Sequence, residues 1–205
     1  MRARVRTSTF VVAGCVALSI CACHHAAEEP LTRDAGPPAP TVARAPIESG
    51  RCVFPTPASL PPPVSPGPAK NCPPDPNPHT LALVTVRFPE AEAGPLDVSA
   101  ELARTEEDSE RGLMYRTSMD EGHGMLFDLG KRQIQTFWMH NTCIPLDMIF
   151  LDDDGLVVGV LENVPMMNDA ARSVPCPSTH VLEMNAGWAR KAGVRAGSHA
   201  RLPGA

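Results

Sequence analysis

Proline is concentrated in one stretch of the chain, and this concentration most restricts the folds available to it. Residues 30–95 contain 18 of the 23 prolines in the 205-residue sequence. Because proline fixes φ and lacks a backbone N–H, this density disfavours helices and strand ladders and favours extended polyproline-like segments. We therefore predict that residues 23–78 are mainly a spacer and that residues 79–205 form one globular domain. A proline-rich ligand for a recognition domain is the less favoured alternative for the spacer.

The N-terminal residues 1–22 have the organisation of an export signal. Arg2, Arg4 and Arg6 precede an apolar run over 10–20. This run is too short to span a bilayer as a permanent helix, and small residues follow it. The sequence therefore predicts that the mature chain works outside the cytoplasm.

The end of this signal resembles the lipobox of bacterial lipoproteins. The sequence Ile20-Cys21-Ala22-Cys23 offers a cleavage site before Cys23, whose thiol would then be acylated. Cys21 is a weaker candidate because the bulky Ile20 precedes it, and an ordinary secretory signal is the remaining alternative. We predict a membrane anchor at Cys23 and a domain that faces the periplasm or the cell surface. His24, rather than aspartate, follows Cys23 and favours the outer membrane.

Charge argues against one class of partner. Residues 79–205 contain 11 Lys and Arg against 18 Asp and Glu, a net charge of 11 − 18 = −7. This balance offers no attraction to a phosphate backbone, so we expect no nucleic-acid partner. No second stretch is long and apolar enough to span a bilayer.

Alternating apolar residues predict strands over much of the domain. Thr105 followed by Asp108 predicts the start of a short helix, in which Gly112 indicates close packing, and Gly193 ends a second helix. The predicted strands are 84–88, 96–102, 125–127, 134–139, 148–151, 156–160 and 180–184, and the second helix is 186–192. This pattern predicts a mostly β (α+β) fold, a compact β-sandwich or distorted β-barrel with one or two short helices.

The four cysteines that follow Cys23 in the chain are predicted to be oxidised in an exported protein. We expect Cys143 to pair with Cys176 in the domain and Cys52 to pair with Cys72 in the spacer. For Cys52 and Cys72, a disulfide to another molecule is the alternative. A nucleophilic Cys143 activated by His140 is disfavoured by the oxidising compartment.

The metal-like patterns in the chain are weak. Asp152-Asp153-Asp154-Gly155 lacks the alternate spacing of a calcium loop and predicts a hairpin turn. The histidines lack zinc-site spacing. Thioethers suit Cu(I), but core packing is the favoured explanation for the many methionines. The candidate copper ligands are Met119, His123 and Met125, or Met139 with His140. We expect neither a metal nor a cofactor.

Three stretches of the domain carry the most specific pattern: 110–116, 124–127 and 137–147. Together, and in this order, they resemble the bacterial and archaeal family called domain of unknown function 192, with a match that runs from about Val84 to Leu202. The resemblance implies a compact, mostly β domain, and the family has no established activity. His140 stands where relatives often carry lysine, which lowers the local positive charge.

The polar and aromatic residues of these stretches are the candidate ligand-binding groups. Arginine presents a planar fork to carboxylates, phosphates or hydroxyls, indole offers a flat face, and an amide both donates and accepts. The candidates are Arg111, Arg116, Trp138, Met139, His140, Asn141 and Asp147. In the competing structural interpretation, Arg111 pairs with Asp147 or Glu183 inside the domain.

The favoured function is a lipid-anchored binding or interaction module of the cell envelope. Its partners would be the membrane, through Cys23, and an unknown small ligand, carbohydrate or peptide, or an envelope protein. An envelope hydrolase is one alternative and a structural protein is another, and no residue is assigned as catalytic. An enzyme would bring Asp147 or Glu183 within hydrogen-bond reach of His140. A binding module needs an exposed Trp138 and an accessible Arg111.

Overall fold

The computed structural model describes residues 50–59 and 61–204. The predicted signal, the lipidation site at Cys23 and residues 23–49 of the predicted spacer lie outside the described residues. The strands are β1 Leu83–Phe88, β2 Leu96–Ala103, β3 His123–Gln133, β4 Phe137–Met139, β5 Leu146–Leu151, β6 Val157–Val164, β7 Asn168–Arg172 and β8 Ser178–Asn185. The helices are α1 Glu106–Arg111 and α2 Trp188–Ala192. The predicted mostly β fold is confirmed.

Six strands form one sheet in the order β1-β2-β3-β8-β5-β6, and β4 pairs with β7 in a second sheet. Only β2 and β3 are parallel neighbours, because α1 connects them, whereas the other pairs are antiparallel. The six-stranded sheet ends at β1 and β6 and does not close on itself. The barrel alternative is therefore wrong, and the arrangement is sandwich-like.

The large sheet buries apolar side chains on both faces. One face holds Ile149, Leu182 and Met184 and is covered by α2, with Ala189 packed into it. The other face holds the second core cluster, which includes Met125, Phe127, Phe150 and Val181, and is covered by β4 together with Leu113. Two covered faces explain why all six residues of β5 are buried.

Local sequence signals set the bounds of α1. The Thr105 hydroxyl accepts a hydrogen bond from the Asp108 N–H at 3.0 Å, as the capping pattern predicts. Gly112 ends the helix with a φ of 49°, and an added Cβ there would lie 3.2 Å from the Phe127 ring. The predicted close packing at Gly112 is confirmed.

The described part of the proline-rich segment lies along the domain. Phe54 N–H donates to Val158 O at 2.7 Å, and Ala69 N–H donates to Cys143 O at 2.8 Å. Arg190 also donates to the carbonyl oxygens of Pro57 and Ala58. Residues 50–59 and 61–78 are thus attached to the domain at several points, while the spacer role of residues 23–49 stays a prediction.

The four cysteines are oxidised, but the predicted pairing is wrong. Cys52 is bonded to Cys176 and Cys72 to Cys143, with Cα–Cα distances of 5.4 and 5.5 Å. The reason is that the proline-rich segment runs beside the domain, so each of its cysteines meets a distant partner. Two disulfides are typical of proteins that fold outside the cytoplasm. Neither helix of the described residues is long and apolar enough to cross a membrane.

Candidate ligand-binding site

An open cavity of about 340 Å³ lies between α1, the loop after it and the end of β4. Trp138 of β4 forms one wall and is 46% exposed. Its ring lies 5.2 Å from the His140 ring, centroid to centroid, with the two planes tilted by 32°. The lining residues are Asn77, His79, Glu107, Glu110, Arg111, Met114, Tyr115, Trp138, His140 and Asn141. An aromatic surface therefore faces a rim of hydrogen-bonding groups.

Arg111 lies in the cavity wall but already has an anionic partner. Its Nη2 donates to both carboxylate oxygens of Asp75 at 2.5 Å. The guanidinium carbon lies 5.3 Å from the centroid of the Tyr115 ring, a cation–π contact. The hydrogen bonds from Arg111 hold the pKa of the Asp75 carboxyl below its usual range. The competing structural interpretation, in which Arg111 pairs with Asp147 or Glu183, is wrong about the partner, because the proline-rich segment supplies the carboxylate of Asp75.

Two residues of the cavity have left-handed backbone conformations. Tyr115 has a φ of 67° and Asn141 a φ of 49°, values that are uncommon outside glycine. They support each other: Tyr115 N–H donates to Asn141 O at 2.8 Å, and Asn141 Nδ2 donates to the Tyr115 hydroxyl at 3.3 Å. Strained conformations of this kind concentrate at functional sites.

His140 has a carboxylate partner that the sequence did not indicate. Its Nδ1 lies 2.9 Å from Asp169 Oδ1, and β7, which carries Asp169, pairs with β4. Among the described residues, neither Asp147 nor Glu183 approaches His140 within hydrogen-bond distance.

Three candidate residues lie away from this cavity. Met139 points into the second core cluster and is fully buried, and Arg116 donates to Glu101 at 2.7 Å. Asp147 is fully buried and opposite Met184, on the face covered by α2. The structure thus brings together four of the seven predicted residues, namely Arg111, Trp138, His140 and Asn141.

Asp147 has a structural environment. Its carboxylate accepts hydrogen bonds from the N–H groups of Asn163, Gly187 and Ala189 at 2.8, 3.1 and 2.9 Å. Two of these donors are at the start of α2, where a helix leaves N–H groups without intrahelical partners. Burial raises the pKa of Asp147, and the three N–H donors oppose this rise.

Glu183 is the other buried carboxyl group of the large sheet. It lies on β8 between Met125 of β3 and Met148 of β5, and is 4% exposed. Burial raises its pKa to about 8. A buried acid with a strongly raised pKa beside a cavity is a candidate functional group.

The acidic run Asp152–Asp154 forms the predicted hairpin turn between β5 and β6. Gly155 has a φ of 83°, and its N–H donates to Asp152 O at 2.9 Å. The three carboxylates are close enough to share a cation. Arginines approach them instead, because Arg132 and Arg51 both donate to Asp152 and Arg51 also donates to Asp154.

The sequence did not point to the groups that the proline-rich segment adds to the cavity. Asn77 and His79 line it, and Asp75 binds Arg111. No periodicity or motif connects these residues with α1, about thirty residues later. Tyr115 lies within a stretch that matched the family, but its contacts depend on the folded loop.

The fold and the cavity define a class of protein, a disulfide-linked, mostly β domain with an open aromatic site. The family model for domain of unknown function 192, described as an uncharacterized ACR, matches residues 89–202. The chain belongs to this family. No curated protein is significantly similar in sequence to the chain.

Two solved structures are similar to the domain. A proposed transcription regulator from Sinorhizobium meliloti 1021 is 36% identical, with a TM-score of 0.58, and the match covers 61% of this chain and 97% of that one. A protein of unknown function from Novosphingobium aromaticivorans DSM 12444 is 34% identical, with a TM-score of 0.57, and the match covers 60% of this chain and 86% of that one. Both matches agree with the fold described here.

Proposed function

We propose that the protein is a cell-envelope binding module that takes a small polar ligand in the cavity beside Trp138. The observation that carries this proposal is the exposure of Trp138 at a cavity rich in hydrogen-bonding groups. A large aromatic side chain that is 46% exposed adds apolar surface to the solvent unless a partner covers it. Here the ring faces a cavity of about 340 Å³, within the range of small-ligand sites.

The lining favours an uncharged, hydroxyl-rich ligand such as a saccharide. Asn77 and Asn141 can donate and accept, while Glu107 and Glu110 accept. Trp138 can stack against one face of a ring. Arg111 is bound to Asp75, so an anionic ligand would have to displace an internal carboxylate. A peptide remains the second ligand class.

An anchor at Cys23 would hold this module at the membrane. The two disulfides and the signal-like residues 1–22 support an exported protein, and the lipobox-like residues support acylation of Cys23. His24 favours the outer membrane. Metabolic labelling with a radioactive fatty acid tests the anchor: incorporation is expected in the wild type and lost in Cys23→Ala.

The alternatives have less support. A hydrolase that uses His140 with Asp147 or Glu183 lacks the required contact, since His140 faces Asp169. The pairing of Arg111 with Asp75 agrees with a purely structural protein, whereas the exposure of Trp138 favours a binding module. A role in transcription regulation, as named for the Sinorhizobium relative, has less support, because the net charge of −7 over residues 79–205 gives no attraction to a phosphate backbone.

Thermal denaturation of the full-length protein with a ligand panel tests the proposal. The panel contains neutral and acidic oligosaccharides, short peptides, Cu(I) and Zn²⁺. A ligand at a hundred times its Kd stabilises by about 2.7 kcal/mol, which for a chain of this size raises Tm by roughly 5–10 °C. The shift should disappear in Trp138→Ala and persist in Ile134→Ala, which removes another exposed apolar side chain outside the cavity. A shift that survives Trp138→Ala would place the ligand elsewhere.

A further inference from the structure

A narrow cavity lies beneath Trp138, with Glu183 in its wall. Its volume is about 20 Å³, enough for one water-sized group. Gly112, Leu113, Phe127 and Phe137 supply an apolar part of its lining, and Ser109, Glu110, Arg111, Thr142 and Glu183 supply a polar part. Glu110 and Trp138 line this cavity and also the broader cavity of the candidate site. The narrow cavity therefore adjoins the proposed ligand site.

The Glu183 carboxyl group has no internal partner among residues 50–59 and 61–204. No side-chain or backbone donor lies within hydrogen-bond distance, and no cation pairs with it. Asp147, on the opposite face of the same sheet, accepts three backbone hydrogen bonds. The Glu183 oxygens are not among the fully enclosed side-chain atoms of the described residues that lack a partner. A water molecule or a ligand group in the narrow cavity can therefore reach them.

We propose that the narrow cavity is a subsite for one uncharged oxygen-bearing group of the ligand, a hydroxyl or carbonyl, that hydrogen-bonds to the Glu183 carboxyl group. This inference rests on the proposed function, since it places the rest of the ligand against Trp138. An anionic group is disfavoured there, because it would lose hydration in so narrow a cavity, Glu110 lines the same wall, and the nearby Arg111 is already bound to Asp75. A protonated carboxyl group both donates and accepts, which matches a sugar hydroxyl. The ligand class is thus a neutral saccharide with a hydroxyl that projects past the indole.

Ligand binding at this subsite should depend on pH through the protonation of Glu183. Its pKa is raised to about 8 by burial, so the group is neutral at pH 7 and ionises as the pH rises. The charged residues that face the narrow cavity are Glu110 and Arg111 of α1. The strands β3 and β5 place Met125 and Met148 beside Glu183, and β4 contributes Phe137 and Trp138, none of which titrates.

Calorimetric titration of the full-length protein tests the subsite. The neutral ligands are maltotriose, cellotriose and tri-N-acetylchitotriose, and trigalacturonate is the anionic counterpart. Glu183→Met keeps the volume but removes the hydrogen bond, and should weaken binding of the neutral sugar about ten- to a hundredfold. Glu183→Gln keeps a donor and an acceptor and should bind within a few-fold of the wild type at pH 7. The protonated carboxyl group of Glu183 is proposed to donate to the ligand oxygen, and a carboxylate has no proton to donate. Wild-type affinity should therefore fall by about tenfold per pH unit above the pKa of Glu183, while that of Glu183→Gln stays constant. Glu90→Gln, which changes an exposed acid that lines neither cavity, should retain the wild-type pH profile.

The outcomes separate this inference from the proposed function. The subsite would be refuted if the wild type, Glu183→Met and Glu183→Gln bound sugar with equal affinities and equal pH profiles. If binding were also lost in Trp138→Ala, the proposed ligand site beside Trp138 would still be supported. Sugar binding that is unchanged in Trp138→Ala would refute both the ligand site beside Trp138 and the Glu183 subsite. If none of the three neutral sugars binds, the saccharide assignment is wrong. Infrared difference spectra provide a direct readout, since sugar binding should shift a protonated-carboxyl band that is absent from Glu183→Gln.

Discussion

Replacement of Glu183 by glutamine should change how the stability of the domain depends on pH. The folded-state pKa of Glu183 is about 8, against an ordinary value of 4.5. Because the folded-state pKa is raised, the stability is complete below pH 4.5 and falls as the pH rises, since the unfolded chain releases a proton that the folded chain retains. At about 1.4 kcal/mol per pH unit, the loss is roughly 3 kcal/mol at pH 7 and approaches 5 kcal/mol above pH 8.

The glutamine variant has no proton to release, so its free energy of unfolding should lack this loss. Urea denaturation with intact disulfides, followed by circular dichroism at intervals between pH 4.5 and 9, measures both proteins. The difference between variant and wild type should grow by about 3 kcal/mol between pH 4.5 and 7 and become constant above pH 8. Glu183→Met also lacks the proton and should give the same pH dependence, whatever its absolute stability.

The other acids do not obscure this comparison. Arg51 lowers the pKa of Asp154 to about 2, so that group titrates below the measured range. The contribution of Asp147 is common to the wild type and both variants. Parallel stability profiles for the wild type and Glu183→Gln would show that the folded-state pKa of Glu183 is close to its ordinary value. That result would refute the claim that burial raises this pKa.

Three further changes should alter stability for separate reasons. Removal of the Cys72–Cys143 disulfide by Cys72→Ala and Cys143→Ala should lower the free energy of unfolding by about 4 kcal/mol, because this disulfide closes a loop with a sequence separation of 71. A melting temperature equal to that of the wild type would contradict this prediction. Gly124→Ala should lower the free energy of unfolding by more than about 1 kcal/mol in urea denaturation, because its Cβ would lie 2.5 Å from Met184 Sδ. An unchanged urea midpoint would show that the sheet can adjust to the added methyl group. Asp147→Asn should speed hydrogen exchange of the backbone amides at the start of α2, because the amide oxygen is a weaker acceptor for the three N–H groups that Asp147 binds. Unchanged exchange rates would mean that Asp147 does not cap this helix.

Much of the secondary structure could be predicted because it depends on neighbours along the chain. The alternation in 84–88 and 96–102 gives β1 and β2, and the Thr105 cap begins α1. β7 was missed because its residues Asn168–Arg172 are polar and small, and it forms only by pairing with β4. The predicted strand 134–139 is shorter in the structure, where β4 begins at Phe137.

The site was only partly predictable, for a similar reason. Trp138, His140 and Asn141 are close in sequence, so a local motif pointed to them together. Their neighbour Met139 points into the core instead, because successive side chains of a strand face opposite sides. Asp147 also faces away, and the α2 N-terminus that it meets lies forty residues later in the chain.

Features that depend on local chemistry could be read along the chain: the proline-rich segment, the export-like pattern of the N-terminus, the positions of most strands and the family of the domain. The contacts between distant groups emerged with the folded structure. It joined Cys52 to Cys176 and Cys72 to Cys143, and it brought Asp75 to Arg111. Proline removes the periodic pattern that reveals where a segment packs, so the contacts of residues 50–78 could be learned only from the folded chain.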